Sequence, residues 1–149
     1  FIIIDCPPSL SLLSVNALVA ADAYILPVTP EYLALEGLGQ LTQTINRVRS
    51  SLNPGLKVRG VLMTMYDGRT NLAQDVVSEV RKYFPGQVFA AVIPRSIRLA
   101  EAPSYGQPVN IYAPNSVAAQ SYQALAIEIL QSDGVPIHNP APEGHVNGA

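Results

Sequence analysis

Cysteine, charge and long apolar runs are all scarce in this sequence. Cys6 is the single cysteine among 149 residues, which excludes an internal disulfide framework and fits a reducing cytosol. No apolar stretch approaches the roughly 18 residues that a membrane-spanning helix needs. Only 13% of the residues are charged and the net charge is −2, so the overall balance gives no footprint for nucleic acid, and any such site has to be a local patch. The two histidines, His138 and His145, stand near the C-terminus without cysteine or carboxylate spacing and do not form a metal motif. Not one of the ten glycines is followed by lysine. The G-x-x-x-x-G-K-[ST] loop, whose bare backbone N–H groups and lysine cradle phosphates, is therefore missing from these residues. The N-terminus has no initiator methionine, no basic region and no cleavage signal, and it starts inside a predicted strand. It reads as the interior of a longer protein rather than as a secretory leader.

What is there begins at once. Phe1-Ile2-Ile3-Ile4 runs into Asp5 and then Cys6-Pro7-Pro8-Ser9. Four apolar residues, three of them β-branched, predict a buried parallel strand that ends by presenting a carboxylate at its carboxyl edge. Ligands of open α/β sheets lie outside those strand ends, and an aspartate there can hold Mg²⁺ through water beside a phosphate. The two prolines stop the pairing and turn the chain. An aspartate that only caps a turn is the competing reading.

Strand-like and helix-like patterns then alternate. The spacing predicts a helix over 9–21 with Ser9 as N-cap, a strand over Ala23–Val28 closed by Pro27 and Pro30, and a long helix over 31–52. Leu38, Leu41, Ile45, Val48 and Leu52 of that helix form one apolar stripe. Asn53-Pro54-Gly55 ends it. A strand over Val58–Met65 follows, then a helix over 71–84 with Leu72, Val76, Val80 and Tyr83 on one face, and a strand over Val88–Ile93. Pro108–Tyr112 reads as a short edge strand. A last helix runs from about Ser116 to Leu130 with the stripe Ala118, Tyr122, Leu125 and Ile129. The expected fold class is α/β, a mostly parallel sheet with helices on both faces. Residues 1–131 form the folded part. Residues 132–149, with three prolines and three glycines, read as a disordered tail.

Four blocks carry a resemblance: IIIDCPPSLSLLSVNALVAAD, PVTPEYLALEGLGQL, GVLMTMYDGRTNLAQDVVSEVRKYF and VIPRSIRLAEAPSYGQPV. In this order they resemble the ParA/Soj family of partition ATPases, within the deviant Walker group that also holds the MinD-type proteins. The resemblance covers residues 1 to about 130 and implies the C-terminal half of such a protein, a P-loop NTPase fold without its P-loop half. It implies ATP and Mg²⁺ as cofactors, a homodimer in the ATP state, and DNA binding without sequence preference. It also implies a centromere-binding ParB-like partner that stimulates hydrolysis, and a cytoplasmic, nucleoid-associated location.

Residue by residue, the resemblance implies that Asp5 is the Walker B aspartate ordering Mg²⁺ through water, with Cys6, Pro7, Pro8 and Ser9 in the switch that senses the terminal phosphate. Thr64 and Met65 lie beside the adenine, Pro94 and Arg95 pack around base and ribose, and Arg69 and Arg98 contribute to DNA binding. The lysine of the phosphate loop and the catalytic aspartate of the first switch lie upstream of residue 1, so no catalytic residue is assigned here. Electrostatic stabilisation dominates phosphoryl transfer, and without those groups this polypeptide alone is expected neither to bind ATP tightly nor to hydrolyse it. A MinD-like positioning ATPase is the alternative, but residues 131–149 hold no lysine or arginine for a basic membrane helix. A non-enzymatic truncated product is the third reading.

Each candidate also has a plainer reading. Arg69 and Arg98 are also readable as salt-bridge partners of Asp67 and Glu101, with Arg81 and Lys82 as weaker additions to a basic patch. Arg95 is readable as a partner of Glu101. Asn16 reads as a local buried hydrogen bond, and Glu31 and Glu36 as complements of a helix dipole. Cys6 reads as a small packed residue rather than a nucleophile. Tyr66 and Tyr105 are divided between partner contact and core packing.

Overall fold

β-Branched and aromatic residues bounded by turn formers become strands here, and the segments between them bury one stripe each. The computed structural model describes residues 1–7 and 11–137, without the side chains of residues 32, 33, 35 and 36. Pro8, Ser9 with its proposed capping role, and residues 138–149 of the expected tail lie outside the described residues.

The elements run α1 (Leu12–Ala20), β1 (Ala23–Val28), α2 (Tyr32–Ser51), β2 (Lys57–Tyr66), α3 (Asn71–Tyr83), β3 (Val88–Pro94), α4 (Ile97–Glu101), a 3₁₀ turn (Ala102–Tyr105), α5 (Val109–Tyr112) and α6 (Val117–Ser132). The three strands form one parallel sheet in the order β1-β2-β3. Helices cover both faces. On one, Leu38 of α2 and Val76 and Val80 of α3 pack with Phe84 on Leu26, Val28, Val61 and Met63. On the other, Leu125 of α6 packs on Leu62, Phe89 and Ile93. The period-2 alternation of β2 sends Val61 and Met63 one way and Leu62 the other. The α/β expectation holds in this form.

Two polar clamps fix α6 to the sheet. Val58 and Gly60 stand opposite consecutive residues of β1, Tyr24 and Ile25, so Arg59 is the extra residue of a bulge. Its guanidinium donates to Ile129 O at 2.7 Å and Ser132 Oγ at 2.5 Å and pairs with Asp133 at 2.8 Å. A cation thereby satisfies the orphan carbonyl end of α6. At the other strand, the Glu128 carboxylate accepts the N–H groups of Ala90 at 2.8 Å and Ala91 at 3.0 Å. Asn53 does more than end α2: its side-chain amide donates to the carbonyls of Leu18, Val19 and Ala21, closing the C-terminal end of α1.

Several expectations need correction. Residues 1–5 form no strand; Phe1, Ile2 and Ile3 are 85–94% exposed. A strand needs a neighbour's ladder, and among the described residues nothing pairs with this segment, so its sequence preference has no partner to act through. Pro108–Tyr112 is not an edge strand: Pro108 at ψ 154° caps the one-turn helix α5, and Val109 is buried with Ala102, Ala118 and Ala119. In α3, Leu72 and Tyr83 face solvent and the buried stripe is Ala73, Val76 and Val80, extended by Phe84. Leu52, the C-cap of α2, and Tyr122 of α6 are likewise exposed. α1 starts after Ser11 and α6 extends to Ser132. No helix among the described residues is long and apolar enough to cross a membrane.

Candidate functional site

The carboxyl ends of β2 and β3 and the loops that leave them form the candidate site. Met63 stands opposite Val92 and Tyr66 opposite Pro94, so Thr64 and Met65 face the single residue Ile93. This is a bulge at a strand end, a device that re-aims side chains beside functional sites. It is sharpened by Met65, which at φ 51° is the one non-glycine residue in the left-handed region among the described residues. An unbranched side chain there costs backbone energy that the surrounding ladder has to hold. Met65 is half-exposed, and Thr64 Oγ1 makes a long 3.4 Å bond to Val28 O. The Arg95 N–H donates to Tyr66 O at 3.1 Å, tying the loop after β3 to the end of β2.

Thr64, Met65, Pro94 and Arg95 therefore share one edge. Asp5 and Pro7 do not join them: both are exposed, on the segment that makes no ladder. Among the described residues Asp5 has no hydrogen bond or ion pair that links it to the strand ends. Cys6, expected to pack, is exposed, its Sγ 3.8 Å from Ile4 O. Asn16 is exposed too, which removes the buried hydrogen bond read for it.

Arg69 and Arg98 stand on the two adjoining loops, each held by a carboxylate. Arg69 Nε and NH2 donate to Asp67 Oδ1 and Oδ2 at 2.8 and 2.6 Å, and its backbone N–H adds a bond to Oδ1. These donors hold the Asp67 carboxyl well below the ordinary carboxylate range, at about 2. Arg98 NH1 lies 3.0 Å from Glu101 Oε2, which also accepts the Tyr112 hydroxyl at 3.1 Å. Tyr112 stacks on Tyr105 at 4.9 Å. Arg95 pairs with Glu31 at 4.0 Å rather than with Glu101, which Arg98 occupies. That partner was not legible: α2, β2, α3 and β3 all lie between the two residues in sequence. Lys82 pairs with Glu79. Tyr66 is half-buried, and with Gln74, Ser78, Arg81 and Lys82 it lines an open groove of about 520 Å³. Tyr105 is exposed.

This edge offers apolar and backbone surface suited to a flat base, but no phosphate cradle. Among the described residues no group of three His, Cys, Asp or Glu side chains is placed to hold a metal. The residues present thus do not by themselves fit a Mg²⁺-triphosphate.

The chain is 53% identical over 133 residues to the chromosome partitioning protein ParA of Myxococcus xanthus. It is 54% identical over 129 residues to the sporulation initiation inhibitor protein Soj of Bacillus subtilis. The chain belongs to the ParA/Soj family. These matches cover 89% and 87% of the chain but 47% and 51% of the relatives, so this ParA/Soj chain spans about half the length of the curated relatives it matches. A family model described as an AAA domain matches residues 1–58. Among solved structures it is similar to cobyrinic acid a,c-diamide synthase from Mycobacterium smegmatis with bound ADP and magnesium. The TM-score is 0.65 at 35% identity, over 91% of this chain and 50% of that one. It is also similar to MinD from Pyrococcus horikoshii complexed with Mg-ADP, with a TM-score of 0.66 at 27% identity, over 87% and 50% of the two chains.

Proposed function

We propose that this chain supplies the base-facing and DNA-facing edge of an ATP-dependent partition ATPase. The complete protein binds ATP with Mg²⁺, dimerises, and holds DNA without sequence preference. A centromere-binding partner of the ParB kind triggers hydrolysis and release. In this reading Asp5, Cys6, Pro7 and Pro8 form the Walker B and switch segment once a complete sheet seats them. Thr64, Met65, Pro94 and Arg95 contact base and ribose, and Arg69 and Arg98 contact DNA phosphates, at a cytoplasmic, nucleoid-associated location. The observation that carries the reading is the 53% identity to a chromosome partitioning ParA over 89% of the chain. A MinD-like positioning role has less support: identity to MinD is 27%.

Two measurements test this. The purified 149-residue chain with Mg-ATP is expected to show no phosphate release above a protein-free blank, because the lysine-bearing loop is missing. Turnover above that blank would overturn the inactive-fragment reading. In the complete ATP-loaded protein, Arg69→Ala combined with Arg98→Ala is expected to weaken binding to a random-sequence duplex. The plot of log affinity against log salt should flatten by about one unit for each arginine removed. Unchanged affinity and slope would remove the DNA role.

A further inference from the structure

The two arginines assigned to DNA are not free cations, and both restraints come from their own loops. Asp67, two residues before Arg69, takes the Nε–NH2 edge of its guanidinium while Arg69 itself is 89% exposed. Glu101, one turn after Arg98, takes its NH1 and is itself fixed by the Tyr112 hydroxyl. We propose that Asp67 and Glu101 are affinity-setting counter-carboxylates. Each occupies donors that a DNA phosphate would use and offsets the arginine's charge, so that phosphate competes with a carboxylate and DNA is held weakly enough to be released. This rests on the DNA-binding reading of Arg69 and Arg98 given above.

Carboxylate and phosphate compete here for the same donors. A guanidinium recognises phosphate best through two parallel N–H donors. Arg69 has committed Nε and NH2, the side-on fork of its guanidinium, which leaves a phosphate the NH1 end. Exposed ion pairs of this kind are weak, so the carboxylate does not abolish phosphate binding; it sets a modest, salt-sensitive handicap. The local charge of each pair is zero, which also weakens its long-range attraction to the duplex relative to an isolated arginine. The restraint is built into the fold. Asp67 O accepts the N–H and hydroxyl of Thr70 at 3.2 and 3.1 Å, and Gln74 donates to Gly68 O, so the turn presents its carboxylate to Arg69 in a fixed geometry. Tyr112 does the same for Glu101 from α5, its ring stacked on Tyr105.

The test uses the complete ATP-loaded protein, a random-sequence duplex and a salt series. Asp67→Asn and Glu101→Gln are each expected to tighten binding about three- to ten-fold near 0.1 M salt, with the gain shrinking as salt rises. Tyr112→Phe, which frees Glu101 to swing away, is expected to give a smaller gain. The decisive arm repeats Asp67→Asn in an Arg69→Ala background, and Glu101→Gln in an Arg98→Ala background, where the gain should vanish. If it persists there, the carboxylates act as long-range charges and the competition proposal fails. If the arginine variants weaken binding but the carboxylate variants do not tighten it, the proposal fails while the DNA reading stands. If the arginine variants leave binding unchanged, the DNA reading itself fails.

Discussion

Gly60→Ala is expected to destabilise the chain by about 2 kcal/mol, against the direction that strand propensity alone would give. Gly60 lies in the central strand, on the face that Leu62 also uses, beneath the ring of Phe89. A Cβ added to Gly60 would overlap that ring, meeting Cζ at 2.5 Å and Cδ2 at 2.9 Å. A glycine inside a strand weakens pairing unless something approaches the backbone closely, and here the approaching group is identified. The ring cannot swing aside at low cost, because Phe89 is 6% exposed and packed with Leu62, Ile93 and Leu125. Inserting one methyl group into a filled core forces an off-rotamer ring or a shift of α6, at about 1–3 kcal/mol. Gly60→Val, with two further carbons, should cost more than Gly60→Ala. The denaturation midpoint by circular dichroism reads the effect. Phe89→Leu combined with Gly60→Ala should recover part of the loss, a coupling expected only for residues in contact. Strictly additive single losses would show that the ring is not what excludes a side chain at Gly60.

None of this was legible in the sequence, where Gly60 is one glycine in an apolar run. The strand and helix sequence was legible, because each segment has its own period and punctuation: Ala23–Val28 emerged with its predicted bounds, Pro27 lying inside the strand and Pro30 just beyond it, and α3 began at Asn71 behind Thr70, whose hydroxyl caps Ala73 N–H. What failed were segments whose state depends on distant partners. Phe1–Asp5 has strand chemistry but no ladder among the described residues, and Pro108–Tyr112 has strand-like composition but is coiled by the packing of Val109 on α6. At the candidate site the residue identities were legible and the couplings only in part. The Asp67–Arg69 and Glu101–Arg98 pairs were readable because the partners lie two and three residues apart. The Arg95–Glu31 pair and the left-handed Met65 were not, since register and bulges place them.

Glu128→Ala is expected to cost about 2–3 kcal/mol and to open one place on the sheet selectively. Three residues of β3, Phe89 to Ala91, stand against Leu62 alone across the ladder, because Val88 pairs with Val61 and Val92 with Met63. In an even strand, consecutive N–H groups point to opposite edges. This irregularity lets Ala90 and Ala91 both turn to the two oxygens of one carboxylate. Hydrogen bonds to a charged acceptor are worth about 1.5–3 kcal/mol each before the variant's relaxation and water access are counted. Ala90 is exposed and can recover much of its loss from water, whereas Ala91 is half-buried and recovers less. Glu128→Gln, which keeps one acceptor oxygen, should fall between wild type and alanine. Amide hydrogen exchange separates this from a general loss of stability: Ala90 and Ala91 should exchange at least about ten-fold faster while Met63 and Val61, deep in the central strand, keep their relative protection. Glu128 also occupies N–H groups at the edge of β3 that would otherwise template pairing with another chain. The alanine variant should therefore associate at lower concentration than wild type in light scattering. Uniform acceleration across all three strands, with no added association, would mean that Glu128 serves only the packing of α6 and not the edge of the sheet.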